Sequence, residues 1–391
     1  DSISLFSSTV SEQLQLRLED LGFFSVTNKF SYVGATPVTD AVFAVKYLVA
    51  DNLATPPRTF EPITAAGNKS LMVNPYALSA GFMTSKDLLY WDYNSGGPFA
   101  VQNDLVRRTS DVTEKVFEIQ YFADPSLTGC TLQKLSGRQF KIVRESDDGM
   151  AKISFGLHIS DGRMRYVYFD ADDFSRAEVI SDDYSRSYSD TRGHIVQLGN
   201  SGDAIIELTL KDNKKSATLT LDLAAFNNDV FLDWYGQVAD EQWVVTEKTD
   251  NSITGTIDAK EDGIMMTSIV YDAGWSAYVD GEKVEVKTYD KAFSYIDITK
   301  GHHDIVFKYS VPGLKTGLIG SVVCFLIILL FYAAGRKWSR KKEAVKAKEE
   351  AENDLIKRNS NEDDEYDRLL EIIAAEFRDD DSVKNIEGRD R

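Results

Sequence analysis

Residues 152–159 read KISFGLHI, residues 160–162 read SDG, and residues 163–169 read RMRYVYF. Ile153, Phe155, Leu157 and Ile159 alternate with Lys152, Ser154, Gly156 and His158. A period of two places one set of side chains on each face of a strand. Asp161-Gly162 between two such runs is the strongest short signal for a hairpin, so 152–169 predicts a hairpin. Further strand-like runs follow at 204–210, 217–223, 252–258, 264–271, 276–279, 283–287, 293–298 and 304–309. Strands at this density, with no helical period between them, predict an antiparallel β-sandwich or jelly roll over 130–311.

The last of these strands runs into 314–335, LKTGLIGSVVCFLIILLFYAAG. After Lys315 no charge occurs until Arg336, about the length a helix needs to cross a hydrocarbon core of roughly 30 Å. Arg336, Lys337, Arg340, Lys341 and Lys342 follow at once, against Lys315 alone at the other end. The positive-inside rule then places the C-terminus in the cytoplasm and residues 1–312 outside. Val311-Pro312-Gly313 leaves little slack, so the sandwich is expected close to the bilayer. Export of so much chain requires a signal or, as the preferred expectation, further membrane helices before Asp1. The opening DSISLFSSTVSEQLQLRLED has neither a basic n-region nor an apolar h-region.

On the N-terminal side the pattern is mixed. Thr9-Val10-Ser11-Glu12 has capping-box spacing, and Val10, Leu14, Leu18 and Leu21 recur at helical intervals, predicting a helix over 8–21. Pro37 opens a short helix expected to enter a buried strand at 45–49. Gly96-Gly97-Pro98 precedes a helix over 99–109, and Phe117, Ile119 and Tyr121 mark a strand. The turn residues of 123–129 set the boundary of this unit. The fold class is therefore α+β: a mixed α/β unit over 1–123, a β-sandwich over 130–311, a membrane helix over 314–335 and a charged tail over 336–391. In the tail, Lys341 to Arg358 can prolong the helix, Tyr366, Leu369, Leu370, Ile373 and Phe377 recur at helical spacing, and 378–391 reads as disordered.

The net charge of −18 and a pI near 4.7 argue against nucleic acid as a partner and against broad contact with anionic lipid, except at the basic cluster that follows the apolar run. Two cysteines occur in 391 residues, and Cys324 lies in the apolar helix, which leaves Cys130 without a disulfide partner. That composition fits a bacterial surface protein. The four histidines are scattered, which argues against a metal site. Asp170, Asp172, Asp173, Asp182 and Asp183 could hold weak calcium, but the EF-hand spacing fails from Asp170. No phosphate loop, Gly-x-Ser-x-Gly elbow or paired-carboxylate motif occurs, so no catalytic or cofactor-binding residue is assigned. Aromatic side chains could stack on a sugar, with Trp91, Trp275, Tyr184 and Tyr188 the candidates and Trp234 and Trp243 also considered.

Five stretches together resemble the YfhO family of bacterial polytopic membrane proteins. They are Thr36-Pro37-Val-Thr-Asp40-Ala-Val-Phe-Ala-Val-Lys46-Tyr47, Asn74-Pro75-Tyr76-Ala77-Leu78, Pro98-Phe99-Ala-Val-Gln102-Asn103-Asp104-Leu105, Tyr271-Asp272-Ala-Gly274-Trp275-Ser-Ala-Tyr-Val279-Asp280-Gly281 and Val311-Pro312-Gly313-Leu314-Lys315-Thr-Gly317. The resemblance implies a glycosyltransferase of the GT-C type. It further implies many upstream transmembrane helices of the same protein, a polyprenyl-phosphate-sugar donor and a cell-envelope glycopolymer such as teichoic acid as acceptor. The catalytic acid of such enzymes lies in an early extracytoplasmic loop, so none is carried over to this chain, whose part is to cap the active site or hold acceptor. The alternative is a membrane-anchored carbohydrate-binding or scaffold module without catalysis. Either way the bilayer is a partner and the bacterial cell membrane is the expected location.

Overall fold

A computed structural model describes residues 5–6, 11–51, 59–93, 96–146, 149–182 and 185–380. Two units separate at Ser310, the folded mass before it and the C-terminal helix after it. The fold is α+β as expected: antiparallel sheets paired as sandwiches, mixed with helices and followed by one long apolar helix.

The strands divide between two sheet pairs. In the first, a six-stranded sheet runs Cys130–Lys134, Gln139–Arg144, Ser216–Phe226, Arg165–Asp170 and His194–Gly199, with Phe117–Gln120 paired to the end of Ser216–Phe226. It faces a sheet of Ser185–Tyr188, Phe174–Ser181, Gly202–Leu210, Lys152–Ile159 and Ser126–Thr128. Ile153, Phe155, Ile206 and Leu208 of the latter share one core with Val167, Phe169, Leu219 and Leu221 of the former. The second pair joins Val244–Lys248, Ser252–Ala259, Gly301–Tyr309, Trp275–Val279 and Glu282–Val284 to a sheet of Lys287–Tyr289, Phe293–Ile298, Gly263–Val270 and Gly81–Thr84. Its core holds Trp243, Met265, Ile296, Ile305 and Phe307.

Between the pairs lies a helical layer: α1 (Glu12–Asp20), α2 (Pro37–Val42), α3 (Pro98–Thr109) and α4 (Asn228–Ala239). One core cluster contains Leu14, Leu18, Val38, Phe99, Leu105, Phe231 and Trp234 of these helices. It also contains Tyr166, Tyr168 and Ile195 from the first pair and Phe82, Ile264, Met266 and Phe293 from the second. The alternation within each strand produces this arrangement. Val167 and Phe169 point into the first sandwich while Tyr166 and Tyr168 point into the helices, so Arg165–Phe169 is buried throughout. The chain returns close on itself here: a Cβ on Gly34 would lie 2.0 Å from the Gly22 carbonyl, and one on Gly22 2.3 Å from Ile195.

Several sequence expectations are corrected. Lys152–Ile159 and Arg165–Asp170 do not form a hairpin; the first pairs with Gly202–Leu210 and the second with Ser216–Phe226 and His194–Gly199, in opposing sheets. Asp161-Gly162 crosses between the sheets instead, with the Asp161 carboxylate accepting from Arg163 Nε (3.0 Å) and Arg165 (2.9 Å). α4 interrupts the strands that were expected to be uninterrupted; Asn227 caps it at Val230 N, and Val230, Phe231, Trp234 and Val238 bury one face. The strand after α2, Tyr47–Asp51, is not buried, with Tyr47 58% and Val49 65% exposed. It belongs instead to a small three-stranded sheet with Lys69–Val73 and Glu61–Ala66.

α5 runs unbroken over Leu314–Asp380. Its N-terminal part is long and apolar enough to cross a membrane. The tail to Asp380 continues the same helix, with Tyr366, Leu369, Leu370 and Ile373 exposed; the disorder expected of 378–391 falls mostly outside the described residues.

Candidate functional site

The aromatic candidates do not converge. Trp91 is only 4% exposed, stacked on Tyr289 at 5.6 Å, with its indole N–H donating to the Val101 carbonyl at 2.8 Å. Tyr289 returns a hydrogen bond to the Trp91 carbonyl at 2.9 Å. No ring face is left for a sugar, and Trp91 is a core residue, as are Trp234 and Trp243. Trp275 is half-buried in the second sandwich, edge-on to Tyr309 at 5.1 Å and to Phe307 at 6.2 Å. Tyr188 is half-buried on the first sandwich against Phe169 and His194. Tyr184 lies outside the described residues. Among the described residues no group of three His, Cys, Asp or Glu is placed to hold a metal. Of the carboxylates considered for calcium, Asp173 pairs with Lys214 at 2.7 Å and Asp183 is outside the described residues.

The helical layer holds a buried polar centre instead. Thr36 and Thr39 form a capping box at the start of α2, and Thr36 Oγ1 donates to Gln102 Oε1 at 2.6 Å. Gln102 Nε2 donates to the Leu21 carbonyl at 2.7 Å, so one fully buried amide ties together α1, α2 and α3. Tyr32 Oη donates to Asp40 Oδ1 at 2.7 Å. Asp40 is wholly buried; burial pushes its carboxyl up to about 7, against the opposing effect of the Tyr32 hydrogen bond.

The residue of α3 that follows Gln102, Asn103, gives Nδ2–H to the Phe117 carbonyl and accepts the Phe117 amide, both at 2.8 Å, which fixes α3 to the first sandwich. Asp104 accepts from the Asp92 amide (2.8 Å), from Arg108 Nε (2.7 Å) and from Arg107. Burial alone would raise the Asp104 carboxyl, but these donors outweigh it and hold it below its ordinary value.

A polar cleft opens beside the start of α4. It measures about 370 Å³, with Arg163, Asn200, Asn227, Asn228 and Asp229 among its polar lining and Pro37, Tyr166 and Phe226 beneath. Arg163 is held across its rim by Glu118 at 2.6 Å and Asp161 at 3.0 Å. Arg165 first, then Arg163, keeps the Asp161 carboxyl well below the carboxylate range, so this clamp stays charged. Three amides with one clamped guanidinium offer donors and acceptors together, a surface suited to hydroxyl-rich ligands. The sequence reading missed it because Asn200 and Asn227–Asn228 are far apart in the chain and carry no motif.

The family model for the bacterial membrane protein YfhO matches residues 1–321. The chain belongs to the YfhO family. No curated protein matches. Three likenesses to solved structures are of small extent. The CBM36-1 domain of a xylanase from the hindgut metagenome of Trinervitermes trinervoides is 11% identical, at a TM-score of 0.18 over 26% of this chain and 91% of that one. A family two carbohydrate esterase from Cellvibrio japonicus is 14% identical, at 0.16 over 27% and 33%. A cupin domain from Bordetella pertussis is 12% identical, at 0.15 over 27% and 100%. At such scores nothing is taken from them.

Within the stretches that resemble the family, polar side chains make fixed hydrogen bonds. Thr36, Asp40 and Gln102 form the buried centre, and Asn103 and Asp104 fasten α3. Asn74 makes an Asx turn to the Tyr76 amide and donates to the Val45 carbonyl. Asp272 accepts the Gly274 amide at 2.7 Å ahead of Trp275. Among the described residues one helix is long and apolar enough to span a bilayer, and with the family match this makes the chain a protein of the membrane.

Proposed function

We propose that residues 1–312 are the extracytoplasmic part of a polytopic protein that transfers sugar from a polyprenyl-phosphate donor to a cell-envelope glycopolymer such as teichoic acid. In this reading they cap the active site and hold acceptor in the amide-lined cleft beside α4. The observation that carries the reading is the family match over 1–321, which runs directly into an apolar helix with a basic flank on its C-terminal side. The cleft adds the chemistry: Arg163 fixed by two carboxylates, with Asn200, Asn227 and Asn228 presenting amides, can hydrogen-bond sugar hydroxyls without demanding charge. The runner-up is a membrane-anchored carbohydrate-binding module without chemistry, and the same cleft would serve it.

Three measurements test this. Titration of the chain in detergent with teichoic-acid fragments should give saturable binding that Asn228→Ala combined with Arg163→Gln weakens about tenfold; no saturable signal removes the acceptor-holding role. Turnover of a polyprenyl-phosphate-linked sugar by the full protein separates the transferase from the module. Orientation is read from a cysteine placed at exposed Lys260, which a membrane-impermeant thiol reagent should label on intact cells. Labelling only after lysis would reverse the topology.

A further inference from the structure

The apolar run of α5 ends in a feature that spanning the membrane does not require. Phe331, Ala334, Gly335, Trp338 and Lys341 recur at intervals of three and four, so they lie on one face of the helix. With Lys337 they line an open notch of about 480 Å³. Its floor is Gly335, where an added Cβ would meet nothing within 4 Å. Phe331 bounds the notch on the apolar side and Trp338 on the polar side, 76% and 66% exposed. The Lys342 ammonium sits 4.5 Å from the Trp338 ring centroid, closing the far rim with charge. No Asp or Glu occurs between Leu314 and Lys342, and the first acid is Glu343.

We propose that this notch binds an anionic glycerophospholipid, its phosphodiester between Lys337 and Lys341 and one acyl chain along Phe331 and Ala334. Position supports the assignment. From Phe331 to Trp338 the helix rises roughly 10 Å, about the depth of a headgroup region, at the place where the uncharged run ends. Chemistry supports it too. The notch is half apolar and half cationic, as a lipid is half acyl chain and half anion, whereas a free phosphate would leave the Phe331–Ala334 half unused. Lysines present compact point charges that suit a singly charged phosphodiester. The charge changes sign past Lys348, where 349–380 is rich in acid, so attraction to an anionic surface is confined to this short segment.

The test uses the whole chain in mixed micelles holding equal amounts of phosphatidylglycerol and phosphatidylcholine, with retained lipid counted by native mass spectrometry. Phosphatidylglycerol should be retained over phosphatidylcholine, and Lys337→Gln with Lys341→Gln should weaken its retention by about 30-fold, the effect of two lysines at a membrane surface. Gly335→Leu decides between a shaped site and diffuse charge. It fills the notch, keeps every lysine and favours the helix, so helicity by circular dichroism is preserved while phosphatidylglycerol retention drops at least fivefold. Retention unchanged in Gly335→Leu overturns the proposal, as does equal retention of the two lipids by the unaltered chain. Displacement of the bound lipid by millimolar inorganic phosphate would make this an anion site and also overturn it.

Discussion

Asp40→Asn should make the folded unit more stable above neutral pH, although it alters a family-pattern residue at the centre of the molecule. Asp40 is fully buried and its carboxyl is raised from an ordinary 3.8 to about 7. A carboxyl raised on folding gives stability that is present below 3.8 and is lost as pH rises towards 7, because the unfolded chain releases its proton first. At about 1.4 kcal/mol per pH unit, the separation of the two values corresponds to roughly 4 kcal/mol lost by pH 8. Asparagine keeps an acceptor for the Tyr32 hydroxyl, removes the titration and carries no charge to bury. Urea unfolding of the chain in detergent, followed by tryptophan fluorescence, should therefore give similar stabilities for the two proteins at pH 4. By pH 8 the variant should be ahead by about 2–4 kcal/mol. Parallel stability curves between pH 4 and 8 would refute the reasoning, because they would mean that Asp40 ionises in the fold as readily as in the unfolded chain.

His194 should impose the opposite dependence. It is buried among Phe24, Phe169 and Tyr188, with Nδ1 on the Arg192 carbonyl, and burial holds it below 6.5 despite Asp190 nearby. Stability should then fall as pH drops below 6.5, and His194→Phe should flatten that slope in the same unfolding assay. Asn103→Ala removes both hydrogen bonds to the Phe117 backbone and should cost about 2–3 kcal/mol, read as a lowered urea midpoint. Trp91→Ala should cost roughly 3–5 kcal/mol and leave any glycan affinity unchanged once the protein is folded, since its ring faces the core; a loss of binding alone would contradict that placement. Gly22→Ala should cost more than 1 kcal/mol, because its φ of +93° and the Ile195 side chain 2.3 Å from the new Cβ both oppose a side chain; an unchanged melting temperature would show that the approach relaxes freely.

Much of the secondary structure was legible because it rests on local signals. The period of two marked Lys152–Ile159 and Ser252–Ala259, Pro37 marked the start of α2, and Gly97-Pro98 that of α3. α4 was equally legible in principle, since Asn227 followed by Val230, Phe231, Trp234 and Val238 is a capped amphipathic helix. Its neighbouring strands obscured it. Pairing was not legible: Asp161-Gly162 satisfies the local rule for a hairpin, yet the runs on either side pair with strands distant in sequence. The cleft was illegible for the same reason, as it gathers Arg163, Asn200 and Asn227 from three separate connections.

By itself the sequence determined the membrane helix, its basic flank, the α+β class and the family. Each depends on composition or order along the chain: an uncharged run of fixed length, a charge count on two sides, a period, a series of short motifs. Only the tertiary structure decided that the strands build two sandwiches around a layer of helices. Val167 and Tyr166 are both buried, one on each face of the same strand, and the sequence cannot say which core claims which face. The same holds for the aromatic residues. A tryptophan reads alike whether its ring meets solvent or core, and the partner that buries Trp91 is Tyr289, 198 positions away.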